Sequence, residues 1–177
     1  MSDIEDLLRR YEDVVRLPWE RSLAGPEKVW LAVYDPAQER RLRLRLPEFE
    51  VITKNAGHGW VQIDLADAFA EWMAQHEYRE AYFESPEDMA LALQEFTDYA
   101  VELVRSRLTA PGAGADTVVA VAGVASLFGL TFASDVLEKV NPAIHGRLLV
   151  FFPGHRDGAN YRLLDARDGW DYLAVPI

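Results

Sequence analysis

TVVAVAGV, residues 117–124, is the stretch that decides the fold. It carries no charge and is rich in valine, a β-branched residue that suits the pleated surface of a sheet. The run is too short for a core helix and shows no alternation of apolar and polar positions, so it reads as a strand covered on both faces. Strands of that kind belong to parallel sheets packed between helices. Two further runs share the pattern, VWLAVY at residues 29–34 and RLLVFF at residues 147–152. Residues 60–63, WVQI, read as another strand, with Asp64 at its junction with the following helix.

Helical periodicity fills the intervals. Ile4, Leu7, Leu8, Tyr11, Val14 and Val15 recur at spacings of three and four, with Ser2 or Asp3 as cap and Pro18 as the far limit. Residues 18–28 form a loop. Asp35-Pro36 is a helix start, and Gln38 is placed to complete a capping box. RLRLRL at residues 41–46 alternates with period two, but the good cap and the helix-forming Arg and Leu favour a short helix; a surface strand is the alternative. Residues 49–52 are expected as a short strand. Gly57-His58-Gly59 is a turn. Leu65, Phe69, Trp72, Met73 and His76 share one helical stripe. Ser85-Pro86 opens a helix running to Leu108, with Ser85 as cap, and residues 109–116 are a small flexible loop. Residues 134–140 are helical. Pro153-Gly154 is expected to stop the strand before it. The tail reads as two strands, 161–165 and 172–177, around an Asp168-Gly169 turn. This pattern predicts one α/β domain over residues 1–177: a mostly parallel central sheet, helices on both faces and a C-terminal hairpin.

Composition narrows the classes. At 177 residues, 50% hydrophobic and 27% charged, the chain is sized for one folded domain. Having no cysteine, it excludes a disulfide scaffold, thiolate metal sites and a cysteine nucleophile. The acidic, amphipathic N-terminus is unlike a secretory signal, and no apolar run is long enough to span a bilayer, so a cytoplasmic location is expected. The net charge of −11 argues against direct nucleic-acid binding. The excess is concentrated: residues 64–102 hold 11 acids and one base, Arg79, and the rest of the chain holds 18 acids and 17 bases. This stretch is either a solvated helical face or a surface that steers a basic protein partner. Arg40, Arg41, Arg43 and Arg45 are candidates to neutralise part of it from within the chain.

The search for chemistry yields little. No phosphate-binding loop is present; Gly123 and Gly129 are six apart with no basic residue after them, which fits a tight strand-to-helix turn better than a nucleotide site. Ser126 lacks the nucleophile-elbow frame. His58, His76, His145 and His155 show no metal-ligand spacing, so no metal or cofactor is expected. His58, between two glycines, is either a binding residue or part of a turn. Because ligands of open parallel sheets meet the carboxyl ends of the strands, the candidates there are Tyr34 and Asp35, Asp64, Gly123 to Ser126, and His155 and Arg156. The competing account makes Asp35 and Asp64 helix caps and the others turns.

VVAVAGVASLFG (118–129), GRLLVFFPG (146–154) and YRLLDARDGWDYLAVPI (161–177), with the Val33-Tyr34-Asp35-Pro36 junction, resemble the BrxB family of bacteriophage-exclusion (BREX) defence systems. The resemblance implies a small component of an antiphage system that works with a PglZ-like protein, a large ATPase and a DNA methyltransferase. It carries no enzymatic activity with it, and so implies an adaptor or scaffold. Two alternatives stand beside it: a degenerate nucleotide-binding or hydrolytic α/β domain using the strand-end cluster, and a regulator or antitoxin-like binder.

Overall fold

The computed structural model describes residues 3–166 and 169–177, so Ser2 as a cap and Asp168 of the expected turn lie outside the described residues. Within them the chain is α/β, as its apolar runs predict. Four strands, β1 (Val29–Tyr34), β2 (Gly59–Asp64), β3 (Thr117–Ala122) and β4 (Arg147–Asp157), are joined at one edge by the short β7 (Val175–Pro176). All lie parallel in the order β2-β3-β4-β1-β7. β5 (Asn160–Leu163) runs antiparallel to β4, and β6 (Trp170–Asp171) antiparallel to β5, which supplies the C-terminal hairpin.

Helices cover both faces. α1 (Ile4–Val15) and α2 (Glu39–Asn55) pack on one, against Trp30, Ala32, Tyr34, Val118, Ala120, Ala122, Leu149 and Phe151. α3 (Ala68–Gln75), α5 (Leu93–Leu108) and α6 (Ala133–Val140) pack on the other, against Val29, Leu31, Val119, Val121, Leu148, Val150 and Phe152. The alternate residues of β1, β3 and β4 thus feed two separate cores, which is why these runs are apolar throughout. Val119, Val121, Leu149 and Phe151 are buried on adjacent strands, the first two on one face and the last two on the other. The β1-to-β2 crossover carries α2 on the first face, and the next two crossovers return on the opposite face in the opposite direction. Reversal of direction with change of face is what right-handed connections require.

Several local expectations are corrected. Residues 49–52 are not a strand; they continue α2. Leu42, Leu46, Phe49 and Thr53 form one buried helical stripe, while Leu44 is 72% exposed, so the 3.6 period wins over the period of two. Pro47 sits exposed inside this helix, removing one backbone donor without ending it, because the stripe on either side is anchored to the sheet. Buried Tyr11 from α1 and Thr53 from α2 share a 2.5 Å hydrogen bond beneath them. Asp35 does cap the approach to α2: its Oδ1 accepts from Ala37 N at 2.9 Å over a 3₁₀ turn, Pro36–Gln38. The capping box is incomplete, since Gln38 Oε1 is buried without a partner.

Ser85 makes no side-chain cap, and the segment after it begins as a 3₁₀ turn (Pro86–Ala92) before α5. A short helix not read from the sequence, α4 (Arg79–Glu84), precedes it. β4 does not stop at Pro153-Gly154. Pro153 is its last residue paired with β1, where the missing N–H costs no further ladder bond, and its carbonyl accepts from Leu164 N at 2.8 Å. A Cβ on Gly154 would lie 2.0 Å from the Arg162 carbonyl oxygen, so only glycine lets β5 approach here. The tail strand expected over 172–177 is divided: its β6 partner ends at Asp171, and only Val175–Pro176 returns to pair with β1.

Candidate functional site

The carboxyl ends of β1 and β2 are tied together by two side chains from the first turns of α2. Tyr34, at the end of β1, donates from its hydroxyl to Glu39. Arg43, one helical turn beyond Glu39, donates Nε to Glu39 Oε1 at 2.8 Å and Nη1 to Asp64 Oδ2 at 2.6 Å. Asp64, at the end of β2, also accepts from Ala66 N at 3.0 Å. The result is a chain of charge-assisted bonds, Tyr34–Glu39–Arg43–Asp64. The Arg43 guanidinium, aided by Ala66 N–H and against partial burial, holds the Asp64 carboxyl below the usual aspartate range. Burial, then the Glu39 acceptor, pushes the Tyr34 phenol up, so it stays protonated and serves as a donor.

Ser126 belongs to the same cluster. Its hydroxyl lies 2.7 Å from both the Leu65 and Gly123 carbonyl oxygens, bridging the ends of β2 and β3. With its single proton committed to main-chain acceptors, it is positioned as a brace rather than as a nucleophile. Gly123 adopts φ +77, and a Cβ there would fall 2.4 Å from Asp64 Oδ1. A carboxylate therefore occupies the space over the turn where a phosphate would need N–H donors.

The structure brings Asp64 and Ser126 together and places the other candidates apart. Asp35 is spent as a cap. His58 lies at the opposite, amino end of β2, stacked on Trp19 at 3.6 Å between ring centroids, with Nδ1 3.2 Å from the Asp116 carbonyl oxygen. Arg147 sits 5.0 Å from the same indole and donates to the Glu20 carbonyl, so Trp19 collects an imidazole and a guanidinium. His155 and Arg156 lie exposed in the β4–β5 hairpin, where Arg156 donates to the Gly158 carbonyl. Glu39 and Arg43 were not visible as site residues. The signal was their i, i+4 spacing, which has meaning only once residues 41–46 are known to be helical.

The acidic stretch forms α3, α4 and α5 with the turns between them. Arg43, Arg79, Arg105 and Lys139 pair with Asp64, Glu80, Glu102 and Asp98 respectively. Among the described residues no cation pairs with Asp67, Glu71, Glu77, Glu84, Glu87 or Asp88. Of the arginines expected to neutralise this face, Arg43 pairs with Asp64, whereas Arg41 and Arg45 pair with Asp3, Glu5 and Glu48 on the other side of the sheet.

Among the described residues no group of three or more acidic or histidine side chains is arranged to hold a metal ion, and no helix is long and apolar enough to cross a membrane. Comparison of the chain with protein-family models, curated proteins and solved structures gives no match. The likeness to BrxB proteins rests on the quoted residues alone.

Proposed function

We propose that the chain is a non-enzymatic adaptor that docks other proteins through the acidic face of α3–α5. One contrast carries this reading. The polar groups at the strand ends are bonded to one another and to the main chain, while six carboxylates on the helical face pair with no cation among the described residues. On the resemblance to BrxB, the partners proposed are the components of a phage-exclusion system, the PglZ-like protein first, in the cytoplasm and without direct nucleic-acid contact.

The test reverses Glu80, Glu84, Glu87 and Asp88, all exposed, to lysine and measures association with the PglZ-like protein, the ATPase and the methyltransferase at two salt concentrations. Exposed charges act together on encounter, so at low salt the association rate should fall by about tenfold or more with at least one companion. The loss should shrink near physiological ionic strength, where the Debye length is about 8 Å. Unchanged rates with every companion, for a variant that folds normally, would reject the docking role.

A further inference from the structure

Between α3, α4 and α5 the surface opens into a cavity of about 370 Å³, several times the liquid volume of one water, about 30 Å³. It is lined by four aromatic residues, Trp72, Tyr78, Tyr82 and Tyr99, and by two acidic ones, Glu77 and Glu95. Trp72 is fixed in the core at 8% exposure, whereas Tyr78 stands 58% exposed at the rim. His76 joins the wall and is pinned on both sides. Its Nδ1 accepts from Tyr78 N at 3.1 Å, so Nε2 carries the ring proton and donates to Glu95 at 3.2 Å. Its ring is the fifth aromatic group there, 4.9 Å from Trp72 and 5.1 Å from Tyr82 between ring centroids.

We infer that this pocket is a binding site for an alkylammonium cation. Aromatic faces present the negative side of their quadrupole, and several around one cavity suit a compact cation that sheds water on entry. Glu77 and Glu95 supply full charges at the rim, within the stretch that carries 11 acids and one base. That base, Arg79, is engaged elsewhere, with the Ala74 carbonyl at 2.7 Å and with Glu80. A bare divalent ion would need more oxygen ligands than the walls offer. A planar guanidinium stacks best on a single ring, whereas a cage receives a rounded ammonium head. Lysine, methylated lysine and free quaternary amines share this chemistry. The inference stands apart from the adaptor reading, because it is tested with small cations and no partner protein.

The experiment titrates the full chain, at low salt, with tetramethylammonium, choline, the neutral choline isostere 3,3-dimethylbutan-1-ol and methylguanidinium. Binding is followed by calorimetry and by the Trp72 indole N–H resonance. Choline and tetramethylammonium should saturate in the millimolar range and shift Trp72, with the neutral isostere about tenfold weaker or more. Nα-acetyl-lysine amide and its trimethylated form separate the sources: equal affinity assigns the site to unmodified lysine, and preference for the methylated form assigns it to quaternary ammonium groups. Tyr82→Leu should weaken choline by about tenfold while Tyr82→Phe retains it. Tyr78→Ala, at the exposed rim, repeats the test if Tyr82→Leu fails to fold. Equal binding of choline and its neutral isostere, tighter binding of methylguanidinium, or no shift at Trp72 up to about 100 mM tetramethylammonium would each overturn the assignment.

Discussion

A methyl group added at Gly123 would lie 2.4 Å from Asp64 Oδ1 and 2.6 Å from Ala66 N, on a backbone already at φ +77. Gly129 has nearly the same φ, +78, but nothing within 4 Å of its Cβ position. The pair therefore separates conformational strain from collision. Gly129→Ala is predicted to cost about 1 kcal/mol, and Gly123→Ala about 2–4 kcal/mol, because it also pushes Asp64 off Arg43 and Ala66. Equal losses in urea denaturation would mean that the Asp64 contact is slack. Asp64 itself carries a pH signature. Its folded-state pKa is depressed, so its contribution is present above the ordinary aspartate value of 3.8 and is lost as pH falls through the lower folded value. With the side chain 44% exposed, screening limits the contribution to about 0.5–1 kcal/mol. Asp64→Asn should be destabilised by that amount at neutral pH, and the gap should close in acid. A gap that stays constant down to about pH 2 would assign the loss to something other than the Arg43 pair.

At the scale of elements, α2 is where the sequence misleads and where its reading is most easily tested. In a strand Phe49 and Val51 would share a face; in a helix they point about 200° apart. Phe49 is fully buried and stacks edge-on with Phe151 at 4.8 Å, while Val51 is 55% exposed. Phe49→Ala is accordingly predicted to cost about 3–5 kcal/mol, and Val51→Ala less than about 0.5 kcal/mol, by thermal or urea unfolding. Comparable losses would restore the strand. The apolar runs of β1, β3 and β4 were legible because burial on both faces leaves no other composition. Val119→Asp, placing an unpaired charge between sheet and helix, should abolish cooperative folding, checked by circular dichroism on the soluble fraction. What the sequence hid was phase and pairing. The alternating Arg-Leu run supports either period until the sheet selects one, and Pro153 reads as a stop although pairing with β5 carries the strand through it. The strand-end candidates were half legible for the same reason. Asp64 and Ser126 follow from strand ends alone, but Glu39 and Arg43 join Tyr34 and Asp64 from a helix whose phase was ambiguous, and the Trp19 ring that stacks on His58 lies far from it in sequence.

For the whole molecule the governing asymmetry is electrostatic. The face carrying α1 and α2 pairs its charges internally, with Arg41, Arg45 and Lys54 on Glu5, Glu48 and Glu50. The face carrying α3–α5 holds six carboxylates that pair with no cation among the described residues, in a chain of net charge −11. Salt acts on the two in opposite directions: it weakens the exposed pairs, each worth about 0–1 kcal/mol, and relieves the repulsion among the unpaired acids. Repulsion is the larger effect here, because the pairs are individually weak and the carboxylates are concentrated along one helical stretch. The unfolding midpoint is therefore predicted to rise by about 2–4 °C between low salt and half-molar sodium chloride, the shift expected for about 1 kcal/mol in a chain of this size. Replacing Glu71, Glu84 and Glu87 by Gln and Asp88 by Asn should raise the low-salt midpoint by a similar amount and flatten its salt dependence. A midpoint that falls with salt in the native chain, or a substituted chain as salt-dependent as the native one, would show that the acidic face carries no repulsion for a basic partner to relieve.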